Sequence, residues 1–237
     1  MHHATAGSLL GIPGVAWFWV LTLLGVGAVV ISLSRRFELL RLGRPDNRFD
    51  RIGERIKHVL VYALGQKKMF DDPFAGVYHI LIFFGFLVVS LRTVTMVLEG
   101  LFAGWELPLL DTTAGHGYLF VKDIFELLVL IGLLGAMWRR GIERKPRIIQ
   151  SMGAWLVIGL IAILMVTDLA SEGARIAAGA IEGSFLPVSS LVAAMLGGLE
   201  TATLQVVYST SWWAHLIVLY IFANELPYSK HFHVYTS

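Results

Sequence analysis

Five blocks of roughly 20 residues, at about 15–34, 76–98, 118–138, 153–169 and 212–227, are built almost wholly from apolar side chains. A helix rises about 1.5 Å per residue, so roughly 20 residues cross the hydrocarbon core of a bilayer. Only helices and closed barrels satisfy their backbone in lipid, and blocks of this length predict helices. The expected fold is an all-α integral membrane protein with five transmembrane helices, forming one domain over residues 1–237. Composition agrees: 56% of residues are hydrophobic, 15% are charged, and mean hydropathy is +0.70. The first block lacks a basic leader and a small-residue cleavage site, so it reads as a retained span. There is no cysteine, which excludes a disulfide or an Fe–S cluster held by this chain.

The basic residues set an orientation. Of 19 Lys and Arg, ten fall in residues 35–72 and five in 139–150, with Lys230 in the tail. Residues 99–117 have none and 170–211 have only Arg175. By the positive-inside rule the two basic loops face the cytoplasm, which puts the N-terminus outside and the C-terminus inside. Residues 184–198 are apolar but short for a span and contain Pro187 and a Gly pair, so they read as an interfacial or re-entrant piece of the outer loop. Residues 47–66 place Ile52, Ile56, Val59, Leu60, Ala63 and Leu64 at helical spacing opposite charges, with Asp46 or Asn47 as a cap after Pro45. That pattern fits a cytoplasmic amphipathic helix on the membrane surface, and also a docking site for a soluble partner. The tryptophans lie mostly near span ends, as an interfacial belt does.

Histidines carry the chemistry. His215 and His233 are 18 residues apart, about five helical turns, so they share one face roughly 27 Å apart. His79 opens the second span on the cytoplasmic side. Because the second and fifth spans run in opposite directions, His79 and His233 fall at matching depth, where a bis-imidazole haem site competes with a structural hydrogen-bonding role. His231 lies about 200° around the helix from His233 and cannot face the same iron. A propionate bond, a quinone contact or a solvated position all fit it. His215 has one outer candidate partner, His116, for a second haem; a quinone or propionate contact is the alternative. His58 reads as solvated, and His2 and His3 receive no role. Arg92, deep in the second span, needs a partner, either a haem propionate or Asp168. Lys122 and Glu126 are four apart and suit an internal ion pair. Asp123 shares the face of His116 and is a candidate for quinol proton transfer.

The five spans, the Gly-Val-Tyr-His-Ile stretch around His79 and the tail Pro227-Tyr-Ser-Lys-His-Phe-His233-Val resemble the gamma, cytochrome b subunit of respiratory nitrate reductases. They are more similar to the membrane subunits of heterodisulfide reductases. They are most similar to the N-terminal domains fused to Fe–S modules in membrane-bound electron-transfer-flavoprotein:quinone oxidoreductases. The resemblance implies that His79 and His233 ligate the haem nearer the cytoplasm and that His215 supplies one ligand of a distal haem. It departs at Val89, where the nitrate-reductase pattern has a second histidine, which puts the distal haem in question. It also implies quinone chemistry and a cytoplasmic Fe–S partner, expected as a separate chain or a further part of a fused protein.

The reading is therefore a haem b membrane subunit, multi-pass in a bacterial or archaeal cytoplasmic membrane. It passes electrons between the quinone pool and a cytoplasmic Fe–S partner within a respiratory oxidoreductase complex, and no nucleic acid is expected. The rival is a haem-free membrane anchor that docks a redox partner. A small transporter is disfavoured because no internal repeat is present.

Overall fold

The computed structural model describes residues 1–44, 49–102, 105, 107–144 and 151–228. A short hairpin, β1 (Ser8–Leu9) and β2 (Ile12–Pro13), leads into α1 (Gly14–Leu40), then α2 (Ile52–His58), α3 (Pro73–Leu101), α4 (Thr113–Trp138), α5 (Met152–Ala177), α6 (Pro187–Leu196) and α7 (Thr201–Glu225). Four helices, α1, α3, α5 and α7, are long and apolar enough to cross a membrane. The fourth long helix, α4, has 26 residues but carries Lys122, Asp123 and Glu126, all fully buried. Its outer surface is as apolar as the rest, with Phe120, Val121, Leu127, Ile131 and Leu134 exposed.

Side-chain contacts fix the direction of each long helix. Tyr220 Oη donates to Thr22 Oγ1 at 2.8 Å, Asn224 Nδ2 to the Gly25 carbonyl at 3.1 Å, and Ser32 pairs with Tyr228 at 2.8 Å. Both numbers rise together, so α1 and α7 run parallel. Gly85 faces Val129 while Gly135 faces Tyr78, so α3 and α4 are antiparallel. Gly85 has a packing reason to be glycine: a Cβ there would overlap the Val129 side chain, so the two helices meet closely. Leu164 meets His215 and Arg175 meets Tyr208, which makes α5 and α7 antiparallel. Lys122 meets Asp168 and Glu172, while Gly141 just past α4 faces Trp155, so α4 and α5 are antiparallel too.

Capping marks the helix starts. Asp72 accepts from the Ala75 N–H at 3.3 Å ahead of Pro73, and Thr112 accepts from the Gly115 N–H at 3.2 Å. Asp72 also binds Arg139 as a two-pronged ion pair, tying the start of α3 to the end of α4. The Arg139 guanidinium is held above its ordinary pKa, chiefly by that hydrogen bond.

Two apolar clusters fill the bundle. One joins Val89, Val129, Leu133, Val157, Leu160, Leu164, Met165, Phe222 and Leu226; the other joins Ala4, Phe18, Met96, Ala174, Leu204, Tyr208, Trp212 and Leu216. Along α3, Arg92 lies between Val89 and Met96, and along α5, Asp168 and Glu172 lie between Met165 and Ala174. A charged layer therefore separates the two clusters.

Several expected boundaries move. The last long helix starts at Thr201, eleven residues before position 212, and α5 runs on to Ala177. Hydropathy marks where lipid is crossed; a helix continues past that point wherever its polar groups find partners inside the bundle. Gln205 is such a group: it accepts from the His2 N–H at 3.0 Å and donates to the His2 carbonyl at 2.9 Å, clamping the N-terminal segment. The segment at 184–198 forms α6, whose ten residues span about 15 Å, half of a hydrocarbon core. It packs against α5, where Val192 and Ala193 face Gly173. Gly198, at φ +91°, makes the turn into α7. The surface helix begins at Ile52, later than 47, and continues as a π-helical turn over Val59–Leu64. Its apolar residues Ile52, Ile56, Val59, Leu60 and Leu64 are exposed. The expected cap residues Asp46 and Asn47 lie outside the described residues.

Candidate functional site

His79 sits half-buried in the second turn of α3, at the end of the bundle bearing the Asp72–Arg139 pair. The C-terminal part of α7, which runs antiparallel to α3, packs against the middle of that helix, with Phe222 against Phe86 at 6.5 Å between ring centres and Leu226 in the cluster with Val89 and Leu133. The chain thus leaves α7 on the side where His79 lies. His231 and His233 lie outside the described residues.

His215 lies in the middle of α7, because the helix starts earlier than its apolar block. It is 2% exposed, and its Nδ1 is 3.1 Å from the Leu164 carbonyl and 3.2 Å from Thr167 Oγ1. A carbonyl only accepts, so Nδ1 carries the hydrogen and the lone pair is on Nε2. A backbone carbonyl on one ring nitrogen is also how a metal-ligating histidine is commonly held, with the other nitrogen left for the metal.

His116 lies in the first turn of α4, half-buried, with its ring stacked on Phe185 at 4.0 Å and an interplanar angle of 12°. It precedes Lys122 by six residues, about 9 Å along the axis. Lys122 is level with Asp168, whereas His215 is level with Leu164 and Thr167, on the far side of Asp168. The structure places His116 and His215 at different depths and does not bring them together. His58 is exposed and meets Tyr62 edge-on at 5.6 Å. His3 pairs with Thr5 at 2.8 Å and packs edge-on against Trp212 at 5.2 Å.

The largest concentration of chemistry is the charged layer. Arg92 Nη1 donates to Glu99 at 2.7 Å and Nε to Asp168 at 3.3 Å. Asp168, one of its two expected partners, is therefore in contact with it. Lys122 Nζ reaches Glu172 at 2.6 Å, Asp168 at 3.1 Å and Glu126 at 3.2 Å, the last being the expected ion pair. Asp123 accepts from the backbone N–H of Val188 and Ser189 and from Ser189 Oγ, at 2.5, 3.0 and 2.6 Å. Its carboxylate thus sits on the N-terminus of α6, where unsatisfied N–H groups and the helix dipole favour an anion.

Glu99, Glu172 and Ser189 were not singled out from the sequence. Glu99 follows Arg92 by seven residues and Glu172 follows Asp168 by four, so helical spacing alone places each on the face of its neighbour. Ser189 had no such signal, because only tertiary packing brings α6 to α4.

An open, largely apolar cavity of about 800 Å³ lies between the N-terminal segment, α1 and α7, lined by His3, Trp17, Leu21, Gln205, Trp213 and Ile217 among others.

No protein-family model and no solved structure matches the chain. Over 218 residues, 92% of the chain, it is 30% identical to the "probable iron-sulfur-binding oxidoreductase FadF" of Bacillus subtilis (strain 168), covering 31% of that protein. It is 26% identical over 239 residues to the EtfAB:quinone oxidoreductase of Syntrophomonas wolfei subsp. wolfei (strain DSM 2245B / Goettingen), covering 95% of the chain and 33% of that protein. The chain spans about a third of the length of the curated relatives it matches. Nearly the whole chain is thus similar to one part of two oxidoreductases.

Proposed function

We propose that the chain is the haem b membrane domain of a redox complex, passing electrons between the quinone pool and a cytoplasmic Fe–S partner. The observation that carries the reading is the delivery of the α7 chain end to the end of the bundle that bears His79, on a chain similar to two oxidoreductases. One relative's name specifies iron–sulfur binding and the other's specifies quinone, which supports both partners.

On this reading α4 is a fifth span, its charges turned inward, and the alternating helix directions put the N-terminus outside and the C-terminus in the cytoplasm. His79 and His233 hold the haem iron, and His231 takes a propionate or quinone contact. His215 fits a ligand of a second haem in one respect, since its Nε2 lone pair is left by the Nδ1 bond to Leu164. Its partner would be a group other than His116, which stacks on Phe185 at another depth. Haem, when bound, supplies one-electron transfer. The chain's own part is to fix imidazole orientation, exclude water and keep the site buried. The cavity beside Trp17 and Trp213 has the volume and apolar lining that a quinone head group requires.

Reduced-minus-oxidised absorption spectra of the purified chain, and of His79→Ala and His233→Ala, test this. A b-type band in the wild type that both variants lose is expected. Its absence from the wild type rejects the haem reading in favour of a haem-free anchor; its retention in both variants rejects the ligand pair.

A further inference from the structure

We propose that the carboxyl cluster between α3, α4, α5 and α6 is a proton-binding site, with Glu126 as the carboxyl that carries the proton. The proposal goes beyond the haem reading and stands without it.

The first ground is charge. Glu99, Asp123, Glu126, Asp168 and Glu172 are all buried. Asp123 is matched by the N-terminus of α6, through Val188, Ser189 and a partial positive charge of about half a unit. Four carboxyls remain, facing Arg92 from α3 and Lys122 from α4. Tyr118 from α4 and Tyr208 and His215 from α7 border the layer, and Arg175 from α5 lies over the Tyr208 ring at 5.9 Å. Among the described residues, even with Arg175 counted, four carboxyls meet three fixed cations. A buried carboxylate without a counter-charge is too costly to stay ionised, and it takes up a proton instead.

The second ground is hydrogen bonding, and it selects Glu126. The Lys122 ammonium donates to Asp168 and Glu172, and its third carboxyl neighbour, Glu126, lies at ion-pair distance without a hydrogen bond. Glu172 has the shortest of the Lys122 contacts, 2.6 Å, and Asp168 receives Arg92 Nε at 3.3 Å. Glu126 is 0% exposed, has only the longest of the three Lys122 contacts, and among the described residues neither of its oxygens accepts a hydrogen bond. Its carboxyl points into the group formed with Asp123 and Glu172, whose oxygens lie within 4.8 Å of one of its own. As an anion it adds one more acceptor among acceptors. As an acid it becomes a donor to a neighbouring carboxylate, which satisfies both groups. A metal ion would have to share the Glu126 and Glu172 oxygens with the Lys122 ammonium, which lies 3.2 and 2.6 Å from them, and the Asp123 oxygens with Val188 and Ser189; a proton does not.

Such a proton has a use in quinone chemistry. Reduction of a quinone takes up one proton for each electron, and oxidation of a quinol releases them, so a carboxyl buried in the bundle can supply or receive one.

Infrared spectra of the intact chain in its membrane complex, recorded in H₂O and in D₂O, test the site. A carbonyl stretch of a protonated carboxylic acid, shifted by deuterium, is expected in the wild type, lost in Glu126→Gln and moved in frequency in Glu126→Asp. Absence of that band from the wild type overturns the proposal, as a proton held on His215 would give. So does a band that both variants leave unchanged, or a stoichiometric divalent cation found by elemental analysis.

Discussion

Lys122 and Asp168 meet at 3.1 Å inside the bundle, 46 residues apart in sequence and both shielded from solvent. The pair joins α4 to α5 and, through Arg92, both to α3. Removing one partner of a buried ion pair strands the other, which costs about 3–5 kcal/mol. Lys122 donates to both Asp168 and Glu172, so Lys122→Met is expected to destabilise the fold by at least that much. Asp168→Asn, which leaves Glu172 to Lys122 and Glu99 to Arg92, is expected to cost less. Unfolding in mixed micelles, monitored by circular dichroism, measures the difference; equal stability of the two variants contradicts the ranking.

Close approach of α3 and α4 depends on Gly85. A side chain there drives into Val129, and overpacking a filled interior costs about 1–3 kcal/mol. Gly85→Val is expected to lower the midpoint of thermal unfolding, and Val129→Ala in the same chain to recover part of the loss. Failure of the second change to help means the contact is not where the strain arises.

His215 is expected to hold its hydrogen on Nδ1, because the Leu164 carbonyl at 3.1 Å can only accept. Nitrogen NMR of chain labelled in histidine reads the two ring nitrogens separately. An imidazole with its hydrogen on Nε2 contradicts the orientation given to the ring.

Asp50, before the surface helix, pairs with Arg55 at 2.7 Å and Arg51 at 3.1 Å. Hydrogen bonds from Arg55 and then Arg51 hold its carboxyl below the ordinary value of 3.8. A carboxyl depressed on folding contributes stability above its unfolded pKa and loses it as pH falls through the folded pKa. Local order of the helix start is therefore expected to loosen in acid, below the ordinary carboxylate range, and Asp50→Asn to loosen it at neutral pH. The effect is small because the pair is exposed. Amide exchange at residues 52–55 across that range measures it, and exchange independent of both pH step and substitution contradicts it.

Much of the fold was legible because lipid-crossing helices carry their own signal: about 20 apolar residues in a row leave few alternatives. The helix over 52–64 announced itself by spacing, and the Lys122–Glu126 pair by a separation of four. Helix ends were less legible. Thr201–Ser211 is mixed in polarity, and its helical state rests on partners such as His2 for Gln205, which hydropathy does not report. The candidate haem ligands were read from type and depth alone. Structure added the Leu164 bond that orients His215 and the Phe185 stack that takes His116 to another level.

The apolar blocks were enough to specify a bundle of membrane-length helices, because runs of about 20 residues fit a helix across a hydrocarbon core and are too long for the strands of a barrel. The sequence also determined which side chains had to find polar partners, since Arg92, Lys122, Asp123, Glu126 and Asp168 sit inside apolar helices. Only the tertiary structure decided who those partners are. Glu99, Glu172 and the N-terminus of α6 enter the layer from three elements, and among the described residues the carboxyls left over from Asp123 outnumber the cations that face them. That surplus depends on which helix faces pack together, a long-range property that no local pattern of residues encodes.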